Sequence, residues 1–306
     1  MRISTVTMFE QGVNSLNRQQ GDFLKVGQQI ATGRRVVNPS DDPQAASRAL
    51  SVSQAKAVTE QYTDSRISAR NSLSQVESVL NSVSDAIASA KTLLIQGAND
   101  TLSDADRESV AAELNGIYQT LIGQANATDG NGRYLFGGYQ DDAPPFQEIN
   151  AGVITYEGDT NVRQQRVDAT RLMEVSENGD SIFSFKDKNG VEAGLFATFE
   201  SALDALGNPG DPGFRQTIND SMSKMDSALD NVLTRRASVG ARLNELDVVD
   251  SVAGNRMLNY EQTLSDLVDL DYAEAISEYS LRQVGLQAAQ KAFVDIKSLS
   301  LFDYLR

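Results

Sequence analysis

The six prolines of this chain fall at three places only: Pro39 and Pro43, Pro144 and Pro145, Pro209 and Pro212. Proline costs about 3 kcal/mol inside a helix, so each pair marks a break and leaves the interval beyond it free to be helical. Through most of those intervals the apolar residues recur at alternating steps of three and four. That spacing lays one stripe along a helix and does not suit a strand, whose period is two.

The first stripe runs Val6, Phe9, Val13, Leu16, Gln20, Phe23, Gly27, Ile30, with two weak members. After Pro43 a second reads Ala69, Leu73, Val76, Leu80, Val83, Ile87, Ala90, Leu94 without a break. A third, Val110, Leu114, Ile117, Leu121, follows Ser103, which with Asp106 has the spacing of an N-terminal cap. The fourth extends from Ile218 to Leu267 and is interrupted by Arg236 and Asp250. Proline-free from Gly213 to Asp271, it predicts one helix of roughly 55 residues, about 80 Å long at 1.5 Å per residue. Asp271-Tyr272-Ala273-Glu274 has capping-box spacing and opens a last helix with the stripe Leu281, Val284, Ala288, Ala292, Ile296, Leu299, Phe302 and then Leu305.

Residues 131–210 read differently. Val153 to Tyr156, Val162 to Val167 and Leu172 to Val175 are β-prone, and Asn131-Gly132, Glu157-Gly158-Asp159, Asn178-Gly179 and Asn189-Gly190 are turn signals. Leu195 to Leu206 predicts a short helix. The expected fold is mainly α: an elongated antiparallel helical rod, a coiled-coil bundle built from both chain ends, with a small β-rich insertion in the middle. Three domains are expected: 1–44 with 270–306 as a terminal helical domain, 45–130 with 211–269 as the rod, and 131–210 as an outward-facing insertion that tolerates shortening.

Composition narrows the chemistry. The chain has neither Cys nor His, which removes Ser-His-Asp and Cys-His nucleophile systems, imidazole proton shuttles, and zinc sites of thiolate or imidazole. No cofactor or metal is expected. A net charge of −15 argues against gripping nucleic acid, which needs clustered cations. Residues 1–40 carry +3 and residues 271–306 carry −1, so the acidity lies between the ends. Carboxylate pairs such as Asp41-Asp42 and Asp104 with Asp106 read as caps and solvated faces, and Asp42-Pro43 as an N-cap followed by the first helical residue. No apolar run approaches the ~18 residues a membrane span needs, so no membrane insertion is expected. Met1 to Thr7 contains no continuous apolar segment of a secretory leader. Two end helices of roughly 35 residues make a thin pair with little core, marginal alone and expected to gain stability from neighbouring copies.

Both ends carry a resemblance. Met1-Arg2-Ile3-Ser4-Thr5, Met8-Phe9 and Gly33-Arg34-Arg35-Val36-Val37-Asn38-Pro39-Ser40-Asp41-Asp42-Pro43 are similar to the N-terminal region of the bacterial flagellin family, closest to its hook-associated type 3 members. Arg236-Ala237-Ser238-Val239-Gly240-Ala241-Arg242-Leu243-Asn244 resembles the family's long-helix motif. Leu270 to Ile276, Leu286 to Ala289 and Ser300 to Leu305 resemble its C-terminal helix.

The resemblance implies a non-enzymatic subunit of a helical assembly, an adaptor layer between hook and filament. Its partners would be copies of itself, neighbouring hook-associated and flagellin subunits, and a cytoplasmic export chaperone on the C-terminal helix. It also implies export through the flagellum's own apparatus without a cleaved leader, which replaces a cytoplasmic location by an extracellular one. The assembly interface is expected at Val6, Phe9, Val13, Leu16, Phe23, Ile30, Leu281, Val284, Ala288, Ala292, Ile296, Leu299, Phe302 and Leu305, the two stripes burying against each other and against adjacent subunits. Two alternatives stand beside it: a filament flagellin, and a surface- or glycan-binding module carried by residues 131–210.

Overall fold

A computed structural model describes residues 5–150 and 153–298. Their helices, in chain order, are α1 (Thr5–Thr32), α2 (Pro43–Gly97), α3 (Asp104–Ala125), α4 (Gly179–Phe183), α5 (Leu195–Gly207), α6 (Phe214–Val268) and α7 (Tyr272–Ser298). The prolines bound them as expected. Pro43 is the first residue of α2, and Asp42 ahead of it accepts the Ala45 N–H at 3.0 Å. Ser103 and Asp106 close a reciprocal capping box on α3. Asp271 caps α7 by accepting the N–H groups of Ala273 and Glu274 at 2.9 and 3.3 Å. Both α2 and α6 are 55 residues long.

The chain forms two compact units, residues 59–253 and residues 1–58 with 254–306. This division crosses α2 and α6.

In the 59–253 unit every member of the second stripe, from Ala69 to Leu94, is buried. From α6 every seventh residue is buried: Ile218, Met225, Val232, Val239, Leu246, Ala253. Val110, Leu114, Tyr118 and Leu121 of α3 and Leu195, Phe199, Ala202 and Leu206 of α5 join this core. The polar entries Arg236 and Asp250 find partners on α2, at Glu77 (2.8 Å) and at Arg66 and Arg70. With Lys91–Asp226 and Arg70–Asp247 they run in opposite chain directions, so α2 and α6 are antiparallel here.

The middle segment is three antiparallel hairpins: β1 (Phe146–Asn150) with β2 (Val153–Tyr156), β3 (Gln164–Asp168) with β4 (Arg171–Glu174), and β5 (Ser184–Lys186) with β6 (Glu192–Gly194). Asn178-Gly179, expected as a turn, instead starts α4, because the Asn178 side chain accepts the Ser181 N–H at 2.7 Å and caps it.

The middle segment shares its core with the helices. Phe136, Phe146, Val167, Met173, Ile182, Phe183, Phe196 and Phe199 are buried in one cluster with Leu73, Leu80, Leu114 and Val232. Rings of Phe146, Phe183 and Phe196 meet at centroid distances of 5.0–5.4 Å. The hairpins are too small to bury these rings among themselves, so the helices supply the other side of the core.

Candidate assembly interface

The other unit is built on α1 against α7. Phe9 lies over Phe293 with centroids 5.3 Å apart, and Phe23 over Tyr279 at 4.7 Å. Glycines on α1 make room for these rings: a Cβ at Gly12 would lie 3.2 Å from the Phe293 ring, and one at Gly27 3.5 Å from Tyr279. Arg282 reaches across to Asp22 at 3.1 Å and back to Glu278 at 3.1 Å.

The pair is tied where the chain leaves α1 and enters α7. Gly33 adopts φ +68°, and its carbonyl accepts the Leu270 N–H at 3.0 Å. The Arg35 N–H donates to the Val268 carbonyl at 2.8 Å, and the Arg35 guanidinium to the Leu267 carbonyl at 2.7 Å. Asp41 is held below the ordinary aspartate value by the Asn38 N–H it accepts and by Lys25, 3.0 Å away. Asp42 is lowered by the Ala45 N–H and by Arg35 at 3.3 Å.

The expected interface residues divide. On α1, Val13, Leu16, Phe23 and Ile30 are half-buried along the face that meets α7, and Phe9 is 47% exposed although its ring touches Phe293. Val26, absent from the expected set, is the buried member of this face.

On α7 the described members of the expected stripe are exposed. Leu281 is 70% exposed and Val284 63%, and Ala288 and Ala292 are exposed as well. The face that packs is Ala275, Tyr279, Arg282, Leu286, Ala289 and Phe293, which steps by four and three equally well. One residue turns a helix by about 100°, so the two stripes lie roughly a third of a turn apart. The two aromatic rings facing the α1 glycines were the signal that selects the packed one. Val6 and Ile296 have side chains outside the described set, and Leu299, Phe302 and Leu305 lie outside the described residues.

This geometry offers packing surface. The shifted tyrosines are structural: burial raises Tyr156 to about 12, and its hydroxyl donates to the Asp159 carbonyl at 2.7 Å. Among the described residues no cluster could hold a metal ion, and no helix is long and apolar enough to cross a membrane.

Comparison with known proteins gives the same two ends. The bacterial flagellin N-terminal helical region matches residues 3–141, and the bacterial flagellin C-terminal helical region matches residues 222–305. The chain is 42% identical to flagellar hook-associated protein 3 of Escherichia coli, over 99% of each chain. It is 40% identical to the protein of the same name in Salmonella typhimurium, over the whole of both. The crystal structure of the flagellar junction protein of Legionella pneumophila shares the fold with a TM-score of 0.64 at 17% identity, covering 72% of this chain and 100% of that one.

Proposed function

The chain belongs to the bacterial flagellin family, and from that membership we propose that it is the structural adaptor joining hook to filament, assembling through its terminal helix pair. Its full-length relatives at 40–42% identity are hook-associated protein 3, which favours a junction layer over a filament flagellin. It works as a structural subunit and catalyses nothing. Its partners are further copies of itself and the hook-associated and flagellin subunits on either side.

The observation that carries this reading is the second stripe of α7. With α1 already covering one face, Leu281, Val284, Ala288 and Ala292 form an apolar stripe that stands exposed among the described residues. Such a face is ordinarily completed by another molecule. A tubular layer supplies that cover by repeating the same contact around its circumference. Phe9 and Leu24 on α1 are exposed large side chains of the same unit.

A carboxylate placed in that stripe would be unpaired in each contact, costing several kcal/mol per subunit interface. Purified protein added to hooks that lack this layer should restore filament growth, scored by electron microscopy. Leu281→Asp with Val284→Asp should abolish the restoration while leaving the melting transition in place. If that double variant still joins filaments to hooks, α7 is not the assembly seam.

Before assembly the same stripe needs shelter. A cytoplasmic export chaperone on α7 fits that need, and family membership supports export through the flagellar apparatus without a cleaved leader. Intact mass of the protein recovered from flagella tests the second point, since a shortened N-terminus would refute it. Retention of chaperone binding by the Leu281→Asp, Val284→Asp variant would argue against shelter at this stripe.

A further inference from the structure

Every apolar repeat that joins α2 to α6 has a period of seven. Ala69, Val76, Val83, Ala90 and Leu73, Leu80, Ile87, Leu94 face Ile218, Met225, Val232, Val239, Leu246. A slide of α6 along α2 by one heptad, about 10 Å, therefore lays the same stripe on the same stripe. Apolar packing leaves this register weakly specified.

The ion pairs do not repeat in that way. Moving along α2 the partners are Arg66 and Arg70 with Asp250 and Asp247, then Glu77 with Arg236, then Lys91 with Asp226. Glu77–Arg236 is the one pair of inverted sign among these, and Arg70 and Glu77 are one heptad apart. Slide α6 one heptad in one direction and Asp247, the partner of Arg70, arrives at Glu77. Slide it in the other and Arg236, the partner of Glu77, arrives at Arg70. Both slips set like charges together.

We propose that the inverted pair Glu77–Arg236, set one heptad from Arg70, is a register lock for the antiparallel α2/α6 pair. The pair is poorly arranged for stability alone. Glu77 Oε1 accepts both Arg236 Nε (3.0 Å) and Nη2 (2.8 Å), while Glu77 Oε2 is buried without a hydrogen-bond partner. A half-satisfied charge suits a group retained to exclude alternatives.

Register also decides where the hairpins sit. They are held on α6 by Arg242 to Glu174 and Glu177, at 3.0 and 2.8 Å, and by Asn231 to the Ile182 carbonyl at 2.8 Å. On α2 they are held by Arg66, 1% exposed, whose guanidinium donates to the Val167 carbonyl at 2.9 Å. Only one register satisfies both sets.

The test exploits a chain with no cysteine of its own. Spin labels on cysteines at the exposed positions Ala88 and Ala241, staggered along the helix pair by about 20 Å, report the α2–α6 offset in the full-length protein. Exchanging the charges, Glu77→Arg with Arg236→Glu, keeps the pair but makes these α2 charges all positive and their α6 partners all negative, so a slipped register is no longer repelled. After dilution from urea the unexchanged protein should show one distance. The exchanged protein should show a second population displaced by about 10 Å along the axis. Glu77→Arg alone should show the same second population and a lower melting temperature. If the exchanged protein refolds to the single original distance, whatever its melting temperature, the lock is refuted.

Discussion

The two compact units solve the same packing problem to different degrees. In residues 59–253 the heptad stripes of α2 and α6 are buried along their length, and ion pairs close across them. In the terminal unit the buried apolar residues among those described are Val26, Val36, Ala45 and Ala275, while Leu24, Leu258, Ile276, Leu281 and Val284 stand in solvent. Charge divides as sharply. Residues 59–253 contain 15 basic and 30 acidic side chains, and the terminal unit 12 of each, so one unit holds the whole net charge and the other is neutral. A like-charged surface keeps molecules apart, and a neutral surface with exposed apolar stripes lets copies approach. One unit closes its core within the single chain, and the other leaves apolar side chains exposed among its described residues.

The sharpest way to break this comparison is to remove residues Gly152–Asn189. If the hairpins were an appendage, the remaining helices would keep their transition. Because Val167, Met173, Val175, Ile182, Phe183 and Phe185 belong to the common core, the deletion should abolish cooperative unfolding and open residues 59–253 to protease. A deleted protein that melts as the whole chain does would restore the appendage view. A smaller version uses single truncations. Leu80→Ala removes a fully buried side chain and should cost about 2–5 kcal/mol, read as a lowered midpoint in urea. Leu281→Ala, at an exposed site, should stay within about 0.5 kcal/mol. Equal losses at the two positions would mean the terminal stripe is already covered in the single chain.

What could be read from the sequence follows the same line. The α2 stripe was legible position by position, since one apolar row runs through a helix whose other faces are polar. On α7 two rows share the helix, and choosing between Leu281–Val284–Ala288 and Tyr279–Leu286–Phe293 required knowing that Gly12 and Gly27 stand opposite. Arg236 and Asp250 were visible as interruptions, but their partners depend on the register of a second helix. Helix α4 and strands β5 and β6, three to five residues each, are too short for periodicity to register; Asn178 as a cap and burial of Phe183 and Phe185 hold them. The family was legible because its motifs lie at helix ends and connections, where Gly33, Asp42, Pro43 and Asp271 have individual structural duties.

Acid should separate the units next. Asp41 and Asp42 have folded values below the ordinary 3.8, so their stabilising contribution is complete above that value and lost as pH falls through the lower folded ones. They support the connection where Arg35 and Gly33 bond to residues 267–270. That unit has little core in reserve. Between pH 5 and pH 2.5, after correction for intrinsic rates, amide protection at Arg35 and Leu270 should fall well before protection at Leu80. Parallel loss at all three would show that both units depend equally on their carboxylates.

The smallest effect tests whether the 59–253 core is closed to its surroundings. Gly240 lies inside α6, where glycine is less favourable than alanine by about 1 kcal/mol. A Cβ built there meets nothing within 4 Å, so no neighbour in the single chain requires the glycine. Gly240→Ala should therefore raise the stability of the monomer by about 0.5–1 kcal/mol, read as a higher urea midpoint with an unchanged slope. Gly12→Ala should gain nothing, because its added methyl presses on Phe293 at 3.2 Å and must displace a ring in a unit that has few other contacts to hold it. The pair of substitutions thus reads the same chemical change against two backgrounds. If Gly240→Ala stabilises the monomer but weakens joining of filament to hook, a neighbouring subunit approaches α6 at that point, and the 59–253 unit is not as self-sufficient in the assembly as it is alone.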